Sequence, residues 1–308
     1  TEDFLEAVIA PHAPLISEIY LPFHISVCHT ARAWHGPFDL RVNDDIVRGL
    51  YEFLQPHGIK LNFVANLPSS TGSDKARLVN EVLRLDELFD GSVFTIRSLE
   101  TAATAWSLRN TLDLQSSTLS HVNGPAAAWY WKHYAGSAGV TIDRGINRSP
   151  DVIAAIRKLG LKIRMVVNDD CIPSCPSEDD HMSDLALGGD LGLSRGTGGG
   201  LMQYARCRPF AQGVKRQFPW MVVQKEILPF HLPRLEGLVD QVKITGRCAT
   251  NEYVVDCIER YSEAKARENS LFREPDEAWD RVATCDRACE ACRWCEENIE
   301  VRGPKMSN

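Results

Sequence analysis

No run of eighteen apolar residues occurs in the 308 positions, so the sequence holds no candidate transmembrane helix. Positive charge is not in excess either. A formal net charge of −7 argues against a general nucleic-acid-binding surface and leaves room only for a local basic patch. The first residues, Thr1-Glu2-Asp3-Phe4, are acidic and lack the basic-then-apolar layout of a secretory signal. Also missing are a lysine-bearing phosphate loop after the first strand, a His-Glu-x-x-His zinc site, and a Ser or Cys nucleophile motif of a known protease type. No internal repeat is visible beyond a strand–helix period.

Cysteine, in contrast, is plentiful. Ten occur in a chain that is 44% apolar and 24% charged, an ordinary globular composition with enough apolar residues for a core that needs no disulfide staples. Their tight clustering favours reduced metal ligands in a cytoplasmic setting over disulfides.

Alternating periods of two and 3.6 residues predict strand, helix, strand, helix. Strands are expected near 18–24, 60–67, 93–97, 114–122, 139–143, 162–168, 220–226 and 241–245. The helices between and after them are expected at 43–57, 74–85, 99–109, 125–134, 150–159 and 251–269, with Gly160 closing the fifth. Eight such units predict an α/β fold of the (β/α)8 TIM-barrel type. A long insertion, 169–219, follows the sixth strand, and a Cys-rich tail follows the last helix. The expected division is a barrel over 1–270 and a metal-binding tail over 271–308. An open doubly wound sheet is the alternative, but its glycine phosphate loop is absent.

Active sites of such barrels lie where strands end and helices begin. Cys171 falls three residues past the sixth strand, and Cys175 and Cys207 lie in the insertion that follows. Cys28, in the loop after the first strand, is the candidate fourth ligand of an iron–sulfur cluster, with Cys248 as its rival. The plainer reading of Cys28 is a small buried hydrophobe. Cys257, on the apolar face of the last helix with Val254, Ile258 and Tyr261, is expected in the core.

The tail run Cys285-x3-Cys289-x2-Cys292-x2-Cys295 has the compact spacing of a second cluster or a zinc knuckle. Its first three cysteines match the spacing of radical S-adenosylmethionine enzymes, but that motif opens a barrel and this one trails it. Ser194-Arg195-Gly196-Thr197-Gly198-Gly199-Gly200 reads as a lid or linker, since no P-loop lysine accompanies it. His24, His29 and His35 bracket Cys28, and His24 and His29 are candidates for contact with substrate or cluster. Each could equally be a structural histidine. Arg247 ends the eighth strand, where its fork suits a carboxylate, or alternatively a structural ion pair.

Two stretches resemble the U32 peptidase-like family. Val242-Lys243-Ile244-Thr245-Gly246-Arg247, followed by Glu252-Tyr253-Val254, resembles its "slKIeGR … eYv" signature. Asp143-Arg144-Gly145-Ile146-Asn147-Arg148, with Val167-Asn168-Asp169-Asp170-Cys171-Ile172-Pro173-Ser174-Cys175-Pro176, resembles the "DRdiNR … vNegClpgCp" pattern of one branch. Ile19-Tyr20-Leu21-Pro22 through Cys28 is similar to the opening of the branch that takes part in oxygen-independent ubiquinone hydroxylation.

The resemblance runs in order from about residue 18 to 265 and implies a barrel holding a [4Fe-4S] cluster, with Cys28, Cys171, Cys175 and Cys207 as ligands by position. It implies either collagenase-like proteolysis or oxygen-independent hydroxylation with prephenate as oxygen donor. The ligand spacing in the second half and the cysteine tail both depart from the quinone branch. Three functions are therefore carried forward: an iron–sulfur hydroxylase or related redox group-transfer enzyme, a U32-type peptidase, and an electron-transfer or scaffold subunit. Expected partners are a small-molecule or peptide substrate and a second U32-like or redox subunit.

Overall fold

Short parallel strands alternating with helices set the architecture of this computed structural model, which describes residues 5–22, 44–66, 72–168, 227–245 and 251–263, with 272–273, 279, 281, 294, 297 and 300–301 beyond them. Among the described residues the strands of the main sheet are β1 (Glu18–Pro22), β2 (Lys60–Ala65), β3 (Val93–Ile96), β4 (Asp113–Ser116), β5 (Gly139–Thr141), β6 (Lys162–Val166) and β7 (Gln241–Lys243). They pair in sequence order, every pair parallel. The main helices among the described residues are α1 (Asp44–Leu54), α2 (Gly72–Leu88), α3 (Leu99–Leu108), α4 (Pro125–Tyr134), α5 (Pro150–Arg157) and α6 (Asn251–Ser262). A short π-helical turn, Leu5–Ile9, precedes β1.

The sheet curls. In a flat sheet β1 and β6 would stand about 24 Å apart, five strand spacings. Instead Arg164 of β6 donates to Glu18 of β1 at 2.6 Å. Gln241 of β7 likewise reaches Ser17 beside β1, at 2.5 Å. Side chains thus bridge the open edges of a half-barrel with seven described strands. Eight strands were expected. The segment expected as the eighth strand pairs directly with β6, through Arg164 and Gln241, and the strand expected at 220–226 lies outside the described residues, as does the insertion.

Alternation along the strands builds two different faces. Leu61, Phe63, Phe94, Ile96, Leu114, Val140, Ile142, Ile163 and Met165 are buried in one continuous core with residues of the helices. Within it Phe63 and Phe94 stack with ring centres 5.7 Å apart. Helix α3 starts where expected because the Ser98 side chain accepts from the Thr101 N–H. Helix α5 ends near Gly160, whose φ of +73° is open to glycine at no steric cost. The fourth strand is shorter than expected: after Ser116 the Ser117 hydroxyl caps a 3-10 turn, Thr118–Ser120, so the apolar residues Leu119 and Val122 belong to a turn and a bridge. No helix among the described residues is long and apolar enough to cross a membrane.

Candidate functional site

The inner face of the curled sheet is polar. Glu18 and Arg164, each with a side chain only 5% exposed, form its central ion pair. Asn62 donates to the other Glu18 oxygen at 2.6 Å, and the Thr95 hydroxyl donates to Asn62 at 2.7 Å. Four strands therefore share one hydrogen-bonded chain across the lumen. Gly139 of β5 makes room for it, since a β-carbon there would stand 2.4 Å from Nη1 of Arg164.

Burial alone would raise the Glu18 carboxyl, but the charge of Arg164 and hydrogen bonds from Arg164, Asn62 and Gln241 outweigh it and hold it below its ordinary range. Tyr20, one inward position further along β1, goes the other way. Its burial, then the Glu18 carboxylate, push its hydroxyl far above the usual tyrosine range, so it stays protonated. The Lys243 ammonium lies 3.5 Å from the centre of the Tyr20 ring. Gln115 and Thr141, both fully buried, keep side-chain polar atoms without a hydrogen bond of good geometry among the described residues. These side chains can hold a polar guest or ordered water by donating and accepting at once.

At the strand ends a second group forms. Asp143 caps the turn Arg144–Ile146 by accepting from the Gly145 N–H at 2.7 Å, and its other oxygen meets Nδ1 of His121 at 2.9 Å. Burial tends to raise the Asp143 carboxyl, and the bonds from His121 and Gly145 more than offset this and lower it. His121 has φ +50°, a left-handed conformation that non-glycine residues seldom adopt. An aspartate orienting an imidazole at the strand ends of a barrel-type sheet is a geometry suited to proton transfer.

The sequence-predicted residues divide sharply. Cys28, Cys171, Cys175, Cys207, Cys248, Cys285, Cys289, Cys292, Cys295, His24, His29, His35 and Arg247 lie outside the described residues. Cys257 is in the core as expected, fully buried, with Arg260 Nη2 3.4 Å from its sulfur. Among the described residues no three His, Cys, Asp or Glu side chains gather as a metal would require. Among the motif residues that are described, Asn147 and Asn168 act as braces. Asn147 donates to the Val166 carbonyl at 2.8 Å. Asn168 accepts from the Thr245 N–H at 2.6 Å and donates to the Thr245 carbonyl at 2.7 Å, locking the ends of β6 and β7 together.

Sequence reasoning missed the lumen. Its signal was present as polar residues at every second place in apolar strands: Asn62 between Leu61 and Phe63, Gln115 after Leu114, Arg164 between Ile163 and Met165.

No family model matches the chain, and no curated protein matches it significantly. A solved structure titled "The Structure of the U32 Peptidase Mk0906" superposes with a TM-score of 0.50 at 16% sequence identity, over 74% of this chain and 83% of that one. Likeness at that identity speaks for the fold and not for the activity. The curled parallel sheet of this chain is a U32-like fold.

Proposed function

We propose that the protein is an iron–sulfur enzyme of the U32-like kind that carries out a redox group transfer, of which oxygen-independent hydroxylation is the named form, on a small polar substrate at the strand ends of its half-barrel. The observation that supports this reading is the Asn168–Thr245 lock. Cys171 follows Asn168 by three residues and Cys248 follows Thr245 by three. Three residues span at most about 10 Å, so the lock joins the two points of the chain from which these thiols depart.

Cys171, Cys175 and Cys207, with Cys28 or Cys248, have the thiolate chemistry that a [4Fe-4S] cluster takes. Bound there, it would supply electron transfer or a Lewis-acidic iron. The chain's own part is to orient and to hold protons. Tyr20 remains a donor, Lys243 contributes positive charge beside it, and the His121–Asp143 pair offers a proton-accepting nitrogen at the rim. The Cys285–Cys295 run is proposed as a second metal site, cluster or zinc.

Anaerobic purification with an ultraviolet–visible spectrum and iron and sulfide counts tests the proposal. Cys171→Ala and Cys175→Ala should each remove one cluster's worth of iron, while Cys257→Ala should leave it intact. A colourless protein holding only zinc, or equal iron in all three variants, overturns it.

A further inference from the structure

Trp279 stands sixteen residues past the last described residue of the α6 region, yet only 3% of it is exposed and it belongs to the barrel's core. Its ring is surrounded by cations and by a histidine. The Arg148 guanidinium lies 5.1 Å from the ring centre, that of Arg234 5.9 Å, and the His231 ring 5.1 Å. Arginine over an indole face is a favourable and directional contact, stronger when water is excluded, as it is for the 1%-exposed Arg148.

These partners come from segments that are themselves tied to the end of β6. Arg148 follows Asn147, which binds the Val166 carbonyl. His231 and Arg234 follow Ile227, whose N–H donates to the Val167 carbonyl at 3.0 Å. The Tyr261 hydroxyl of α6 donates to the Ile227 carbonyl at 2.8 Å.

Two further contacts join described residues of this part of the chain. Phe272–Arg273 pairs antiparallel with Glu300–Val301, joining its two ends. The Arg281 guanidinium sits 4.9 Å from the ring centre of Trp294, which stands between Cys292 and Cys295 in sequence.

We infer that Trp279 is a latch that fixes the chain that follows α6 to the strand-end corner of the barrel at β6. The latch stands on packing alone and does not require that either cysteine group bind metal. Its consequence is geometric: six residues separate Trp279 from Cys285, a reach of about 20 Å. The latch therefore limits how far Cys285 can stand from the corner at which the chain leaves β6, and it couples the protection of 144–149 and 229–235 to that of the chain around Trp279.

Hydrogen–deuterium exchange on the full chain tests this. Trp279→Ala should speed exchange about tenfold or more in 144–149, 229–235 and 272–301, with 60–116 unchanged. Arg281→Ala should affect only 272–301. Faster exchange confined to 272–301 in Trp279→Ala, or no change at all, overturns the latch. If Trp279→Ala unfolds the protein, Trp279→Phe decides. A smaller increase restricted to the three segments upholds the latch, whereas an equal increase in 60–116, or none in 144–149 and 229–235, makes Trp279 ordinary core filling and overturns it.

Discussion

The two faces of the curled sheet differ sharply in what holds them together. On the outer face, Phe63, Phe94, Leu114, Ile163 and Met165 pack into helices and leave no polar atom to satisfy. On the inner face, the same strands carry Asn62, Thr95, Gln115 and Arg164, each next to one of these in sequence, and β1 and β7 add Glu18, Tyr20 and Lys243. The outer face can rely on dispersion and water exclusion, which tolerate small shifts in position. Charges on the inner face must meet partners within hydrogen-bond distance or impose a desolvation cost. One face therefore stabilises the fold, and the other is a preorganised polar surface available for chemistry.

That contrast can be broken most severely from inside. Arg164→Ala would leave Glu18 buried with its charge partner gone and should cost about 3–5 kcal/mol in denaturant unfolding. Replacing both by leucine should recover much of this, because the penalty comes from the unpaired charge. Gly139→Ala puts a methyl 2.4 Å from the Arg164 guanidinium and should cost about 1–3 kcal/mol, with an altered lumen but an intact outer core. Ile163→Val, the neighbour of Arg164 on the outer face, should cost only about 0.5–1.5 kcal/mol by the same measurement. A loss for Ile163→Val equal to that for Arg164→Ala would erase the distinction between the faces.

The smallest effect is in acid. Glu18 has a lower affinity for protons in the folded state than its ordinary value of 4.5 in the unfolded chain. The unfolded state thus binds more protons in that window, and stability falls as the pH drops. The Glu18 contribution should be complete above pH 4.5 and lost as pH falls through the lower folded value. Glu18→Gln should be less stable than the parent at neutral pH yet show a shallower loss below pH 4.5, read from unfolding midpoints across the acid range. An unchanged acid slope would mean that Glu18 titrates as it does in the unfolded chain.

How legible the molecule was depends on which period a residue obeys. The starts of β2, β3, β5, β6 and β7 were read at the residue where each begins, because short apolar runs bounded by turn residues have few competing structures. The fourth strand was read too long, since Leu119 and Val122 look like strand residues until the Ser117 cap turns the chain. The lumen went unread because a lone Asn62 or Arg164 looks like the solvent face of an antiparallel strand. Only curling turns those positions inward. His121 gave no motif signal at all, and its pairing with Asp143 spans 22 positions in sequence.

Composition and pattern were enough to determine the βα alternation, the absence of a long apolar helix, the Gly160 stop and the core place of Cys257, since each rests on local propensity or on burial of an apolar face. Tertiary structure alone decided that β6 pairs with 241–243, that Glu18 meets Arg164 across five strand spacings, and that Trp279 closes on Arg148 from 131 positions away. Those contacts depend on the curl of the sheet and on long-range packing, and no window of neighbouring residues carries either.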